Sequence, residues 1–332
     1  MKYDVYGIGN ALVDMEFKVN DTFFEEHTIE KGLMTLVEED RQEQLIGALL
    51  EHDQSEIKRQ SGGSAANTII AVSQFGGNAF YSCKVADDEL GNFYLTDLRD
   101  NGVATKVVEA SEEEGITGKC MVMVTPDAER TMNTYLGITG SLSEAQIDVD
   151  ALKQSEWLYV EGYLVASPTA QAASLKAIQL AKEFGVKVSL TMSDPNMINF
   201  FKDNMMALIG DGVDLLFCNE QEAMDFTGKE TVAEARESLK TYAKNFVITL
   251  GANGAMIWDG VTFVDIEPYQ TKAIDSNGAG DMFAGAYLYG ITNGLTHAGA
   301  GKLASLSSSK VVSQFGPRLA KEQAQELLAS LS

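Results

Sequence analysis

The chain has 332 residues, of which 45% are hydrophobic, enough for one large or two medium buried cores. Its formal net charge of −23 excludes a broad basic face for nucleic acid or an anionic membrane, and small-molecule partners are expected instead. No run of about 18 apolar residues is present and the opening Met-Lys-Tyr-Asp-Val reads as a strand rather than a signal peptide, so a cytoplasmic location is expected.

In chain order, residues 4–9 read as a short buried strand, and 79–85, 157–160, 186–191, 214–218 and 246–250 are similar apolar runs. Helical spacing falls between them at 65–75, 90–98, 169–184 and 232–243. Strand and helix in alternation predict an α/β fold, with a mostly parallel sheet covered by helices on both faces. Around 16–37 and 103–136 the rhythm breaks into short alternating runs such as Lys119-Cys-Met-Val-Met-Val124, which predict a small β lid. The division expected is a single α/β domain over 1–332, with the lid inserted as 15–37 and 103–136. From Gly280 onward three helices are expected, the last set off by Phe315-Gly-Pro-Arg318.

Three widely spaced cysteines, Cys83, Cys120 and Cys218, suggest neither a disulfide framework nor a zinc site. His27, His52 and His297 are too scattered for a metal cluster and are read as ordinary surface or helix residues. Nothing in the sequence speaks to the oligomeric state.

The strongest local signal is Asp275-Ser-Asn-Gly-Ala-Gly-Asp281, followed at once by a helical pattern. Gly278 and Gly280 let backbone approach an anion, and the free N–H groups of a helix start carry about half a positive charge toward it. Asp281 in that first turn is either a dipole-stabilising carboxylate or the acceptor of a proton from an attacking hydroxyl, with a pKa depressed by the helix end. Gly62-Gly-Ser-Ala-Ala-Asn67 is either a capped turn or a grip on sugar hydroxyls, with Asn67 as donor and acceptor. Asn219-Glu-Gln-Glu222 is a capping box or, through Glu222, a water-mediated magnesium contact. Thr249-Leu-Gly-Ala-Asn-Gly254 is a hairpin turn or a nucleotide contact at a strand end. Gly7-Ile-Gly9 lacks the third glycine of a dinucleotide fingerprint, and no G-x-x-x-x-G-K-[ST] sequence occurs.

The paired Gly-Gly and Asp-x-x-Gly-Ala-Gly-Asp motifs, in this order, resemble those of the PfkB, or ribokinase-like, carbohydrate kinases, with Ser276 in place of the usual threonine. Within that family the chain is most similar to the adenosine kinases, on Gly9-Asn-Ala-Leu-Val-Asp14, Glu129-Arg-Thr-Met-Asn-Thr-Tyr-Leu136, Tyr159-Val-Glu-Gly-Tyr163 and Asn219-Glu-Gln-Glu222. The resemblance implies a ribokinase-like fold and transfer of the ATP γ-phosphoryl group to the 5′-hydroxyl of a nucleoside, most of all adenosine. It implies Asp281 as catalytic base, Gly278, Ala279 and Gly280 as anion hole, and Arg130 reaching in from the lid. Asn10, Asp14, Gly62, Gly63 and Asn67 would hold the ribose, and Met132, Leu136 and Tyr163 would wall the base. Asn219, Thr249, Gly251 and Gly254 would face the nucleotide, Glu222 would organise Mg²⁺ through water, and K⁺ beside the Asp275 loop is a further option. Asp194-Pro-Asn196 is more similar to the family's sugar kinases, although their following arginine is replaced by Ile198. A ribokinase- or fructokinase-type enzyme is therefore the alternative, and a nucleoside-binding protein without catalysis the third reading.

Overall fold

A computed structural model describes residues 3–51, 58–106, 115–127 and 129–331; His52 and residues 107–114 and 128 of the expected lid lie outside that set. An eight-stranded sheet is built from β1 (Tyr3–Ile8), β5 (Ala79–Ser82), β8 (Ser155–Val160), β9 (Lys187–Thr191), β10 (Val213–Asn219), β11 (Ala243–Thr249), β12 (Ala255–Trp258) and β13 (Phe263–Ile266). The order is β13-β12-β11-β10-β9-β8-β1-β5, parallel from β11 to β5, with β12 and β13 added antiparallel at one edge. All six apolar runs read from the sequence are its parallel strands.

Successive side chains of a strand enter opposite layers. Val5 packs in one core with the helices Ser64–Gln74 and Ala279–Thr292, while Tyr6 and Ile8 pack in the other with Pro168–Phe184 and Pro195–Ile209. Burial on both faces explains why these strands are apolar throughout. β1 has β5 on one side and β8 on the other, so the chain reverses its direction of travel across the sheet at β1. A crevice opens at the carboxyl ends of the strands at such a switch point.

The second sheet has five strands in the order β3-β7-β6-β2-β4: β2 (Leu12–Lys18), β3 (Met34–Leu36), β4 (Lys58–Gly62), β6 (Thr117–Val124) and β7 (Arg130–Gly137). Its limits differ from the expected lid in three ways. It starts at Leu12, and it takes β4 from outside both expected segments, antiparallel to β2. Residues 103–106 belong with the large sheet: Ala104 bridges Phe80, and its N–H and C=O bond Ala79 and Tyr81. The region between β2 and β3 also holds a short helix, Asp21–His27, capped by the Asn20 side chain.

The C-terminal part is the expected three helices, Ala279–Thr292, His297–Val311 and Lys321–Ser330. The first two cover one face of the large sheet and set residues 275–281 at the crevice.

Candidate active site

Two cavities meet at the start of the Ala279–Thr292 helix. The first lies between the carboxyl ends of β1, β8 and β9 and the inner face of the small sheet. Asn10, Glu161 and Ser193 reach it from just beyond the large-sheet strands, and Gly63, Ser64, Asn67, Asn277 and Asp281 from the two glycine-rich turns. The small sheet supplies the opposite wall by its period of two. Leu12 and Asp14 of β2, Met34 and Leu36 of β3, Cys120 of β6, and Arg130, Met132, Thr134 and Leu136 of β7 all face inward.

Asp281 is the third residue of its helix, whose N-cap Gly278 has φ +70° and packs so closely on Pro317 that a Cβ there would overlap it. Its Oδ1 accepts from Ser64 Oγ at 2.6 Å and its Oδ2 from Asn67 Nδ2 at 3.1 Å. Each oxygen keeps a lone pair for a further donor. Removal from water pushes the Asp281 carboxyl above the usual range, against the bonds from Ser64 and Asn67 and the Arg130 and Arg318 charges. That corrects the depressed pKa expected from the helix end: desolvation outweighs the dipole here.

Asp14 is 5% exposed and lies against Gly62, the last residue of β4, which is followed by Gly63, the N-cap of the Ser64–Gln74 helix. A Cβ on Gly62 would fall on the Asp14 carboxyl group, and one on Gly63, at φ +97°, would strike the Asn10 carbonyl. Burial raises Asp14 to about 8, opposed by Arg318 and reinforced by Glu16 and Asp281. Glu161 is raised to about 8 by burial, although it accepts backbone N–H groups of Asn10, Ala65 and Ser64. This end of the cavity is thus dense in hydroxyl-binding groups.

The other end is apolar. Leu12, Met34, Leu36, Cys120, Met132, Leu136, Tyr163, Ala166 and Met197 line it, with Thr134 and Ser193 as its few polar groups. Arg130 crosses from β7 to the cradle, where its Nη1 donates to Asn277 Oδ1 at 2.9 Å. Asp194 itself caps the Pro195–Ile209 helix by accepting from Asn196 N at 2.7 Å, and Ile198 is packed in the core.

The second cavity lies on the far side of the same helix start. Thr249, Gly251 and Gly254 of the β11–β12 turn, residues 268–271, Ala279, Gly280, and Ser305, Ser308 and Ser309 line it. Gly280 is exposed, with open space where a Cβ would stand, and first-turn N–H groups lack intrahelical partners. Free first-turn N–H groups favour an anion at this position. Asn219 and Glu222 line neither cavity. They close a capping box in which Asn219 N and Nδ2 donate to the two Glu222 oxygens, both at 2.9 Å, and burial raises Glu222 to about 7. Among the described residues no three His, Cys, Asp or Glu side chains gather as a metal site. Both Asp275 oxygens accept backbone N–H groups, from Asn277 and Gly316.

Of the residues singled out in the sequence, Asn10, Asp14, Gly63, Asn67, Arg130, Met132, Leu136, Tyr163 and Asp281 line the first cavity, and Thr249, Gly251, Gly254, Ala279 and Gly280 the second. Gly62 and Gly278 line neither; each makes room for a neighbour. Ser64, Glu161, Asn277 and Arg318 went unassigned although each stands inside a quoted motif. Their roles depend on which chain segments meet, which spacing does not reveal.

A cavity rich in hydroxyl-binding side chains and a second one lined by exposed first-turn backbone share one helix N-terminus, an arrangement suited to moving a phosphoryl group onto an alcohol. The family model described as pfkB family carbohydrate kinase matches residues 37–324, and the chain belongs to that family. It is an ATP-dependent kinase. A solved adenosine kinase from Sinorhizobium meliloti is 35% identical with a TM-score of 0.91, covering 99% of this chain and 100% of that one. A probable sugar kinase from Rhizobium etli CFN 42 is 33% identical with a TM-score of 0.91 and full coverage of both. Among curated relatives, a probable fructokinase-4 from Arabidopsis thaliana is 27% identical over 68% of this chain and 72% of that protein. The acceptor is accordingly a sugar or a nucleoside.

Proposed function

We propose that this kinase phosphorylates the 5′-hydroxyl of a ribonucleoside, adenosine first. The observation that carries the reading is the two-ended first cavity, hydroxyl-binding at Asn10, Asp14 and Asn67 and apolar along Met132, Leu136 and Tyr163. A free sugar has nothing to offer the apolar end. The burial of Ile198, where the similar sugar kinases carry an arginine, points the same way. The Sinorhizobium meliloti relative bears the name adenosine kinase, whereas the fructokinase names among the curated relatives favour the sugar reading.

On this reading O5′ sits between Asp281 and the cradle. Its proton passes to Asp281 as O5′ bonds to the γ-phosphorus and the bond to the β–γ bridging oxygen breaks, releasing ADP. A loose transition state needs little early deprotonation, so orienting the hydroxyl is the larger part of Asp281's work. First-turn N–H groups at Ala279 and Gly280 and the Arg130 guanidinium take up the charge gathering on the transferring group. Magnesium, when bound, neutralises phosphate charge and would arrive on the nucleotide, with Glu222 acting at most through water.

The test is ADP release with ATP and Mg²⁺ across adenosine, inosine, guanosine, cytidine, ribose and fructose. Selective turnover of adenosine supports the proposal; turnover of a free sugar alone overturns it.

A further inference from the structure

We propose that Arg318 is a positioning residue for phosphoryl transfer, fixing the orientation of the Asn67 amide and through it the rotamer of Asp281. The inference rests on the reading of Asp281 as proton acceptor.

Arg318 follows the break before the last helix and is only 6% exposed. Its Nε donates to Asn67 Oδ1 at 2.8 Å, its Nη1 to Asp97 Oδ2 at 2.9 Å and its Nη2 to Ser61 Oγ at 3.2 Å. Asp97 Oδ2 also accepts from Ser61 N at 2.9 Å, so the fork closes on a fixed frame. A guanidinium is a donor only, and an amide has one accepting and one donating end. With its oxygen turned to Arg318, Asn67 must turn its nitrogen to Asp281 Oδ2. A flipped amide would set nitrogen against guanidinium and oxygen against carboxylate, losing both bonds. The Asp281 plane is thereby held with one lone pair per oxygen facing the cavity.

The same turn also braces the cradle. Gly316 N donates to Asp275 Oδ2 at 2.9 Å, Pro317 fills the space beside Gly278, and Phe315 lies 4.3 Å beneath the Lys18 ammonium of β2. Four consecutive residues thus touch the hydroxyl grip, the phosphate loop and the small sheet. The groups that act on the Asp281 charge are Asp14, Tyr159, Glu161 and Tyr163 around it and the cations Arg130 and Arg318. Lysine at 318 would keep the charge but not the three-way fork.

The experiment compares Arg318→Gln and Arg318→Lys with the wild type in melting temperature, kcat and KM for adenosine, the pH profile of kcat, and crystal structure. Expected is a kcat loss of about 100-fold in both variants, as for a misaligned reacting group. The acidic limb moves to higher pH in Arg318→Gln only, because that variant alone has lost the cation. Full kcat in a folded Arg318→Lys overturns the inference, since charge alone would then suffice. If Arg318→Gln does not fold, Arg318→Lys decides. If the wild type turns over no nucleoside, the proposed function has failed, and the Arg318→Lys crystal structure decides: an Asn67 amide turned away from Asp281 supports positioning, and an unchanged one overturns it.

Discussion

The two walls of the first cavity are built on different terms. On the large-sheet side, Ser64, Asn67 and Glu161 are tied by hydrogen bonds to one another's elements or to Asp281, so their geometry is over-determined. On the small-sheet side, Met132 and Leu136 pack against the small apolar cluster of Leu12, Cys120, Val122 and Val124, and Leu36 is 47% exposed. Chemistry needs atoms placed to a fraction of an ångström, whereas recognition of an apolar ring tolerates adjustment. On the proposed function, rate rests mainly on the first wall and on Arg130, and selectivity on the apolar part of the second.

The strongest way to break this comparison is Asp281→Asn, expected to lower kcat by about 10²–10⁴ with an unaltered melting temperature, measured by ADP release. In the wild type the acidic limb of kcat should lie above the ordinary carboxylate range, because burial raises Asp281. Arg130 is the small sheet's polar delegate to the chemistry, and Arg130→Gln should cost about 10²-fold in kcat, less than the base itself. Near-normal turnover would remove the lid from catalysis altogether. Leu136→Ala, by contrast, should act on selectivity, raising KM for adenosine by about 10-fold with kcat nearly kept. A kcat loss equal to that of Arg130→Gln would erase the distinction between the walls.

The smallest effect concerns stability. Asp14 and Glu161 near 8 and Glu222 near 7 hold protons in the folded state that the unfolded chain releases around its ordinary pKa values of 3.8 and 4.5. The native state binds more protons, so unfolding stability falls as pH rises from the unfolded to the folded values. Urea midpoints at about pH 5 and about pH 8.5 should show that decline in the ligand-free protein, and Asp14→Asn should flatten part of it. An equal slope in that variant would place the burden elsewhere.

Legibility in the sequence followed burial. The six parallel strands announce themselves because both faces are apolar, and the helix start at residues 278–281 does because a glycine-rich turn runs straight into a helical pattern. β4, by contrast, reads Lys-Arg-Gln-Ser-Gly and carries no hydrophobic signal, since its buried members Gln60 and Ser61 are polar, Ser61 being tied to Asp97 and Arg318. Residues 103–106 looked like lid because local pattern cannot say which sheet an edge segment joins; that is decided by the bridge from Ala104 to Phe80. The cavity residues were found where a motif named them. The bonds that orient them, from Arg318 to Asn67 across 251 positions and from Ser64 to Asp281 across 217, were not visible to any local reading.

Gly62 illustrates a consequence for mapping function by mutation. It lines neither of the two cavities described above, yet the volume its side chain would need is taken by the Asp14 carboxyl group. In a scan of all single substitutions, every replacement at Gly62 would be recorded as a pocket defect, and the map of intolerant positions would extend one layer beyond the residues that ever meet a ligand.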